Sequence, residues 1–218
     1  MRTCAIILAV WLSAGCSPDR AGRVSPGRRV IALSDGETLA GWRNIEFELG
    51  GGGAASVGPD GSLQLGAGEP MAGLVLDNPN ISLPTGEYEI ELEAKIVDGS
   101  DFFCGLTFPV PSQGSHCTLI VGGWGGTVVG ISNVNGMDAS INTTRYDRPF
   151  EPGRWYQIRT RVTADYLEVW IDGEVVIELE IRGRKIAMRP GAIEQCRPIG
   201  LATWRTAAAY RNLRLRLL

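Results

Sequence analysis

A single histidine among 218 residues leaves little for histidine-centred chemistry. No Ser/His/Asp set can be built around His116, and no CxxC or Cys/His spacing offers a zinc site. Strong charge is missing as well. The formal net charge is −3, with Arg greatly outnumbering Lys, which gives no electrostatic footprint for nucleic acid. The one basic cluster, Arg182 to Lys185, reads as a solvated turn. No apolar run reaches the length that spans a bilayer, and no stretch keeps a helical period over ten residues. The glycine run at 50–53 lacks a following Lys-Ser/Thr and any helix signal, so a surface loop is expected there instead of a phosphate cradle.

What the chain does have is glycine, proline and alternation. Its 29 glycines and 12 prolines fall between short apolar runs, a pattern of many tight turns. The organising stretch is 155–180, WYQIRTRVTADYLEVWIDGEVVIELE, which predicts three consecutive strands. Leu167, Val169 and Ile171 alternate with polar or bulky neighbours, as do Val175, Ile177 and Leu179. A two-residue turn at Asp172-Gly173 would set these rows on opposite faces. A three-residue loop, Ile171-Asp172-Gly173, with Gly173 left-handed in a bulge, would align them and is the expected register. Upstream, Glu87 to Val97 predicts a long strand with Ile90, Leu92, Ala94 and Ile96 on one face and Glu89, Glu91, Glu93 and Lys95 on the other. Strands are expected at 102–110, 117–121, 127–131 and 198–204 and at the carboxyl end, with a surface loop over 133–147. The fold class is all-β, a jelly-roll sandwich of two antiparallel sheets.

The amino terminus reads as an address. Met1-Arg2 and the apolar run 5–12 resemble a secretory signal over 1–15. Leu12-Ser-Ala-Gly-Cys16 resembles the bacterial lipoprotein signal, in which Cys16 is acylated and becomes the new amino terminus. Residues 16–29 then form a lipid-anchored flexible tether and 30–218 the jelly-roll domain. The expected location is the bacterial cell envelope, extracytoplasmic, with the membrane engaged through the lipid on Cys16. Of the remaining thiols Cys104, Cys117 and Cys196, at most two can pair. Cys104 with Cys117, in consecutive strands, is the expected disulfide.

Four stretches together resemble the 3-keto-disaccharide hydrolase-like domain family. Leu33-Ser-Asp-Gly-Glu-Thr-Leu-Ala-Gly-Trp42 is similar to its opening motif, and Tyr88-Glu-Ile-Glu-Leu-Glu93 to its aromatic-acidic strand. Pro152-Gly-Arg-Trp155 with Trp170-Ile-Asp-Gly173 is similar to its "G-x-W" strand and "W-x-[ND]-G" hairpin. Ile199-Gly-Leu201 with Tyr210-Arg-Asn-Leu-Arg-Leu215 is similar to its close. The resemblance implies a concanavalin A-like form of the jelly-roll sandwich, a carbohydrate partner and an activity on 3-keto-glycosides, as a hydrolase or lyase. This chain departs from the family where its polar residues stand: Phe103-Cys104-Gly105 replaces "N-S-G", and Ala202-Thr-Trp204 follows "I-G-L". A non-catalytic glycan-binding or surface interaction module is therefore the alternative.

Candidate catalytic groups are Glu89 and Glu91, alternate residues of one strand face, together with His116 and Asp101 as a base for proton abstraction. Glu89 and Glu93 carry the family match. Candidate ligand-binding residues are Trp124 in its glycine frame and Trp204 beside Arg205, whose flat rings suit sugar stacking. Asn135 and Asp138 are candidates for polar loop contacts. No cofactor motif is present, and Asn133, Asn135, Asp138 and Asn142 do not make an EF-hand pattern.

Overall fold

The computed structural model describes residues 29–47 and 53–218. The signal, Cys16, nearly all of the tether and most of the glycine run at 50–53 lie outside the described residues.

Fifteen strands succeed one another among the described residues: β1 Val30–Ala32, β2 Trp42–Asn44, β3 Ala55–Val57, β4 Leu63–Leu65, β5 Met71–Leu76, β6 Tyr88–Gly99, β7 Cys104–Val110, β8 Ser115–Gly122, β9 Val128–Ser132, β10 Tyr146–Asp147, β11 Tyr156–Val162, β12 Tyr166–Ile171, β13 Glu174–Glu180, β14 Gly200–Trp204 and β15 Thr206–Leu217. They form two antiparallel sheets, the jelly-roll sandwich that alternation predicts. One has eight strands in the order β13-β12-β11-β6-β15-β4-β3, with β1 also on β15; the other has seven, β10-β9-β8-β7-β14-β5-β2. The core lies between them. Ile90, Leu92, Ala94 and Ile96 of β6 face Leu106 and Phe108 of β7, Leu119 and Val121 of β8, and Leu201 of β14 in one apolar cluster.

The family-like motifs are structural joints. Trp42 Nε1 donates to the Leu33 carbonyl at 2.6 Å, closing the opening turn. The Tyr88 hydroxyl donates to the Pro109 carbonyl and that of Tyr210 to the Phe103 carbonyl, tying one sheet to the other through buried phenols. Asn212, at a left-handed φ of 56°, sits in the β15 irregularity and donates to Glu93 at 2.8 Å. Arg211 completes that joint, 2.7 Å from the same carboxylate.

Two sequence expectations need correction. The β12–β13 turn is the two-residue Asp172-Gly173 type, with φ of 53° and 83°, and Ile171 pairs with Glu174. The rows are aligned by an irregularity further on, where Val169 pairs with Ile177 but Trp170 with Val175. Val176 is the extra residue, so Ile177 and Leu179 turn inward while Val175 stays outside. The second correction concerns the thiols. Cys104 lies opposite Val121 and Cys117 opposite Phe108. That places the two cysteines four rungs apart, about 13 Å along the hairpin, beyond disulfide reach. Cys104, Cys117 and Cys196 are all buried and free.

Candidate functional site

Each sheet has an outer face, and the two differ. On the eight-stranded sheet it is a charge ladder. Glu89 is 2% exposed, and Arg161 reaches its carboxylate at 2.7 Å, Arg159 at 3.8 Å and Arg216 at 3.9 Å. Arg216 also approaches Glu91 at 3.5 Å. Arg159 stacks over Trp170, 3.9 Å from the ring centre, and Lys95 and Arg211 stack over Trp155. Glu89 and Glu91 are thus neutralised by cross-strand arginines, and of the two only Glu91 borders a hollow, one of about 100 Å³ shared with Glu93, Gln157 and Arg214.

The outer face of the seven-stranded sheet carries a cavity of about 720 Å³. Its floor follows from strand alternation. On β8, Cys117, Leu119 and Val121 point into the core, so Thr118 and Ile120 point out and line the cavity. Met71 of β5, Trp204 of β14 and Ser132 of β9 join them. One wall is the 101–102 segment with Trp124; the other is the run 189–193 with Gln195. Phe102 and Trp204 stack loosely, with centroids 6.4 Å apart.

Trp124 is held in an unusual pose. It adopts φ 50° between Gly122 at 80° and Gly125 and Gly126 at 89° and 102°, a run of left-handed backbone that glycines make accessible. The indole is 42% exposed. Asp101 fixes this loop: its Oδ2 accepts the Gly125 N–H at 3.3 Å, while Oδ1 accepts the Phe102 N–H at 2.7 Å. The Asp101 backbone is anchored in turn, its N–H donating to the Thr206 hydroxyl, which donates back to its carbonyl.

The structure therefore gathers Asp101, Trp124 and Trp204 and separates the other candidates. Glu89 and Glu91 lie on the opposite outer face of the sandwich. His116 faces out of β8 but is in register with Pro109, at the far end of β7 from Asp101, and does not line the cavity. Burial first, and the nearby Arg197 second, hold its pKa below 6.5. Arg205 is exposed at the β14–β15 turn with φ 46°, its N–H bonded to the Pro70 carbonyl, outside the lining. Asn135 and Asp138 contact the protein's own wall. Asn135 Oδ1 accepts the Lys185 N–H at 2.8 Å, and Asp138 Oδ2 stands 3.7 Å from Arg189. Asn142 spends its amide on the Ile131 and Met137 carbonyls. No group of three or more His, Cys, Asp or Glu suited to a metal occurs among the described residues.

Arg189, Gln195, Phe102 and Thr118 belong to the site and were not among the sequence candidates. The missed signal is the segment 181–199 between β13 and β14. So long a connection without strand alternation inside an all-β domain marks a functional loop.

No curated protein matches the chain in sequence. Among solved structures, the carbohydrate binding module CBM66 from Bacillus subtilis aligns with a TM-score of 0.51 at 17% identity, over 81% of this chain and 96% of that one. The cellulose induced protein Cip1 aligns with a TM-score of 0.53 at 14% identity, over 86% and 96%. A prokaryotic β-1,3-1,4-glucanase (lichenase) derived from a mouse hindgut metagenome aligns at 0.51 and 14%, over 87% and 98%. At these identities the likeness is one of fold. The family model described as the 3-keto-alpha-glucoside-1,2-lyase-like domain matches residues 29–216, and the chain belongs to that family.

Proposed function

We propose that this domain binds carbohydrate in the cavity on the seven-stranded sheet, with Trp124 as the main stacking platform. The observation that carries this reading is the exposed indole at the cavity wall, fixed in a left-handed loop by Asp101. A sugar ring presents an apolar face to an indole and hydroxyls at its edge. Asp101, Arg189, Gln195, Ser132 and Thr118 supply polar atoms around that position. Family membership favours carbohydrate as the ligand.

The lining holds one carboxylate, Asp101, and no histidine. Hydrolysis by paired carboxylates needs two acidic groups flanking the bond, so this cavity is better suited to binding. The second reading, a lyase or hydrolase acting on 3-keto-glycosides, is favoured by the family and by Asp101 itself. Its carboxylate would take the proton from the carbon beside the keto group, the freed electron pair would form a double bond to the anomeric carbon as the glycosidic C–O bond breaks, and the departing oxygen would take a proton from solvent. Against that role, each Asp101 oxygen already accepts a backbone N–H.

Calorimetry with a panel of 3-keto-disaccharides and their unoxidised parents, with chromatography of the products, separates the two. Saturable binding without product, weakened roughly tenfold in Kd by Trp124→Ala, is expected. Product formation lost in both Asp101→Asn and Asp101→Ala would establish the enzyme. We extend the reading to location: residues 1–16 support export and a lipid anchor on Cys16, and Cys16→Ser should move the protein from the membrane to the soluble fraction.

A further inference from the structure

Resting on the carbohydrate-binding reading, we propose that the cavity takes the terminal residue of a glycan and not an internal stretch of the chain. The reason is how its sides are closed. Segment 181–199 leaves β13 and crosses the outer face of the seven-stranded sheet as a strap. It is fastened first beside β9: Asn133 and Ala187 exchange backbone hydrogen bonds, and Asn135 does the same for Lys185 through its backbone N–H and its side-chain Oδ1. Gln113, at the β7–β8 turn, donates to the Ile181 and Arg184 carbonyls and accepts the Ile186 N–H, each within 3.1 Å. The strap then buries Met188, Ile193 and Cys196 against Ile120, Ala202 and Met71, reaching the β14–β5 side. A Cβ on Gly200 would collide with the Cys196 carbonyl, so the strap lies directly on β14 there.

A glycan running along the strands toward His116 meets this strap. One running across the strands toward β9 meets a second closure. Ala139 packs so tightly on Gly130 that a Cβ there would stand 2.9 Å from the alanine methyl. From the same loop Asp138 reaches Arg189 of the strap at 3.7 Å. Loop and strap thus meet on that side of the cavity; the Trp124 loop stands at the strand end away from His116, and Phe47 and Pro70 line the β5 side. A chain that enters has no aligned exit, so the sugar stacked on Trp124 is the last one.

The test uses the full-length protein and α-glucan, β-1,3-1,4-glucan and arabinan polysaccharides, each intact and after partial acid hydrolysis, titrated calorimetrically. Terminal recognition raises the number of binding sites per gram by the same factor as the number of chain ends. Oligosaccharides of whichever glycan binds are then capped with a bulky group at one end or the other; one cap abolishes binding and the other leaves it intact. Sites that scale with mass, or tolerance of both caps, overturn the inference while leaving carbohydrate binding in place. Silence toward every glycan while a disaccharide of the 3-keto panel binds overturns the inference alone; silence toward the disaccharides as well overturns both together.

Discussion

Asp101 Oδ2 accepts the backbone N–H of Gly125, twenty-four residues later, at 3.3 Å, and so ties the loop that carries Trp124 to the start of the Phe102 wall. Asp101 is on this view a positioning residue. Asp101→Ala should weaken glycan binding by about 1 kcal/mol, roughly fivefold in Kd, and speed amide exchange at Gly125 in the unliganded protein. Asp101→Asn keeps one carbonyl acceptor for two backbone donors, the Phe102 and Gly125 N–H groups, and should fall between the parent and Asp101→Ala in both measurements. An acid–base role predicts a different signature, turnover lost equally in the asparagine and alanine variants whatever their affinity. The exchange experiment needs no ligand, so it reads the clamp even before the glycan is known.

His116 offers a test that involves no ligand at all. It is half-buried on β8, and burial together with Arg197 lowers its pKa in the folded protein. The unfolded chain therefore binds the proton at a higher pH than the folded one. The contribution to stability is whole above the unfolded pKa near 6.5, falls as pH drops through that value, and levels off once the folded form is protonated too. Urea denaturation of the parent and His116→Asn from about pH 8 to about pH 5 should show the parent losing more stability toward acid. Equal slopes in the two proteins would show that His116 does not titrate differently on folding.

The fold was legible because each sheet buries one face. Ile90, Leu92, Ala94 and Ile96 had to share a side, and strand by strand that constraint yields a sandwich. The family-like residues were equally legible and proved to be joints: Trp42 closes a turn, Tyr88 and Tyr210 tie the sheets, and Glu93 meets Arg211 and Asn212. The site was legible only in part. Trp124 announced itself by its glycine frame, and Trp204 by its place at a strand end. Glu89, by contrast, alternates outward just as a cleft residue would. Period-two alternation distinguishes inside from outside but not one outer face of a sandwich from the other. Arg189 and Gln195 sit in the strap, whose course is set by contacts with β9 and β14 far away in sequence, so no local pattern could place them.

The three thiols give a sharp check on the corrected pairing. Burial pushes Cys104 and Cys196 up to about 12, and Cys117 higher still, so none is thiolate at neutral pH. The native protein should resist alkylation at all three positions, and denaturation without reductant should expose three reactive thiols there. The intact mass should lack the two-hydrogen loss of a disulfide. A Cys104–Cys117 bridge found by peptide mapping would contradict the β7–β8 register itself, since Cys117 is paired with Phe108.

Glu89 distinguishes a structural carboxylate from a catalytic one. It is the buried member of an ion network in which Arg159, Arg161 and Arg216 are each about one-third exposed. Glu89→Gln preserves shape and leaves three guanidinium groups on the outer face without their central anion. Breaking such a pair from one side is destabilising, here by about 3 kcal/mol, because the remaining charges lose their partner while staying partly desolvated. Chemical denaturation should show that loss, and adding Arg161→Leu should recover part of it by removing a stranded charge. Glycan affinity should stay at the parent value under conditions where the variant is folded, because the ladder and the cavity occupy opposite faces of the sandwich. A variant that kept its stability but lost binding or turnover would return Glu89 to the functional site and place the ligand on the eight-stranded sheet instead.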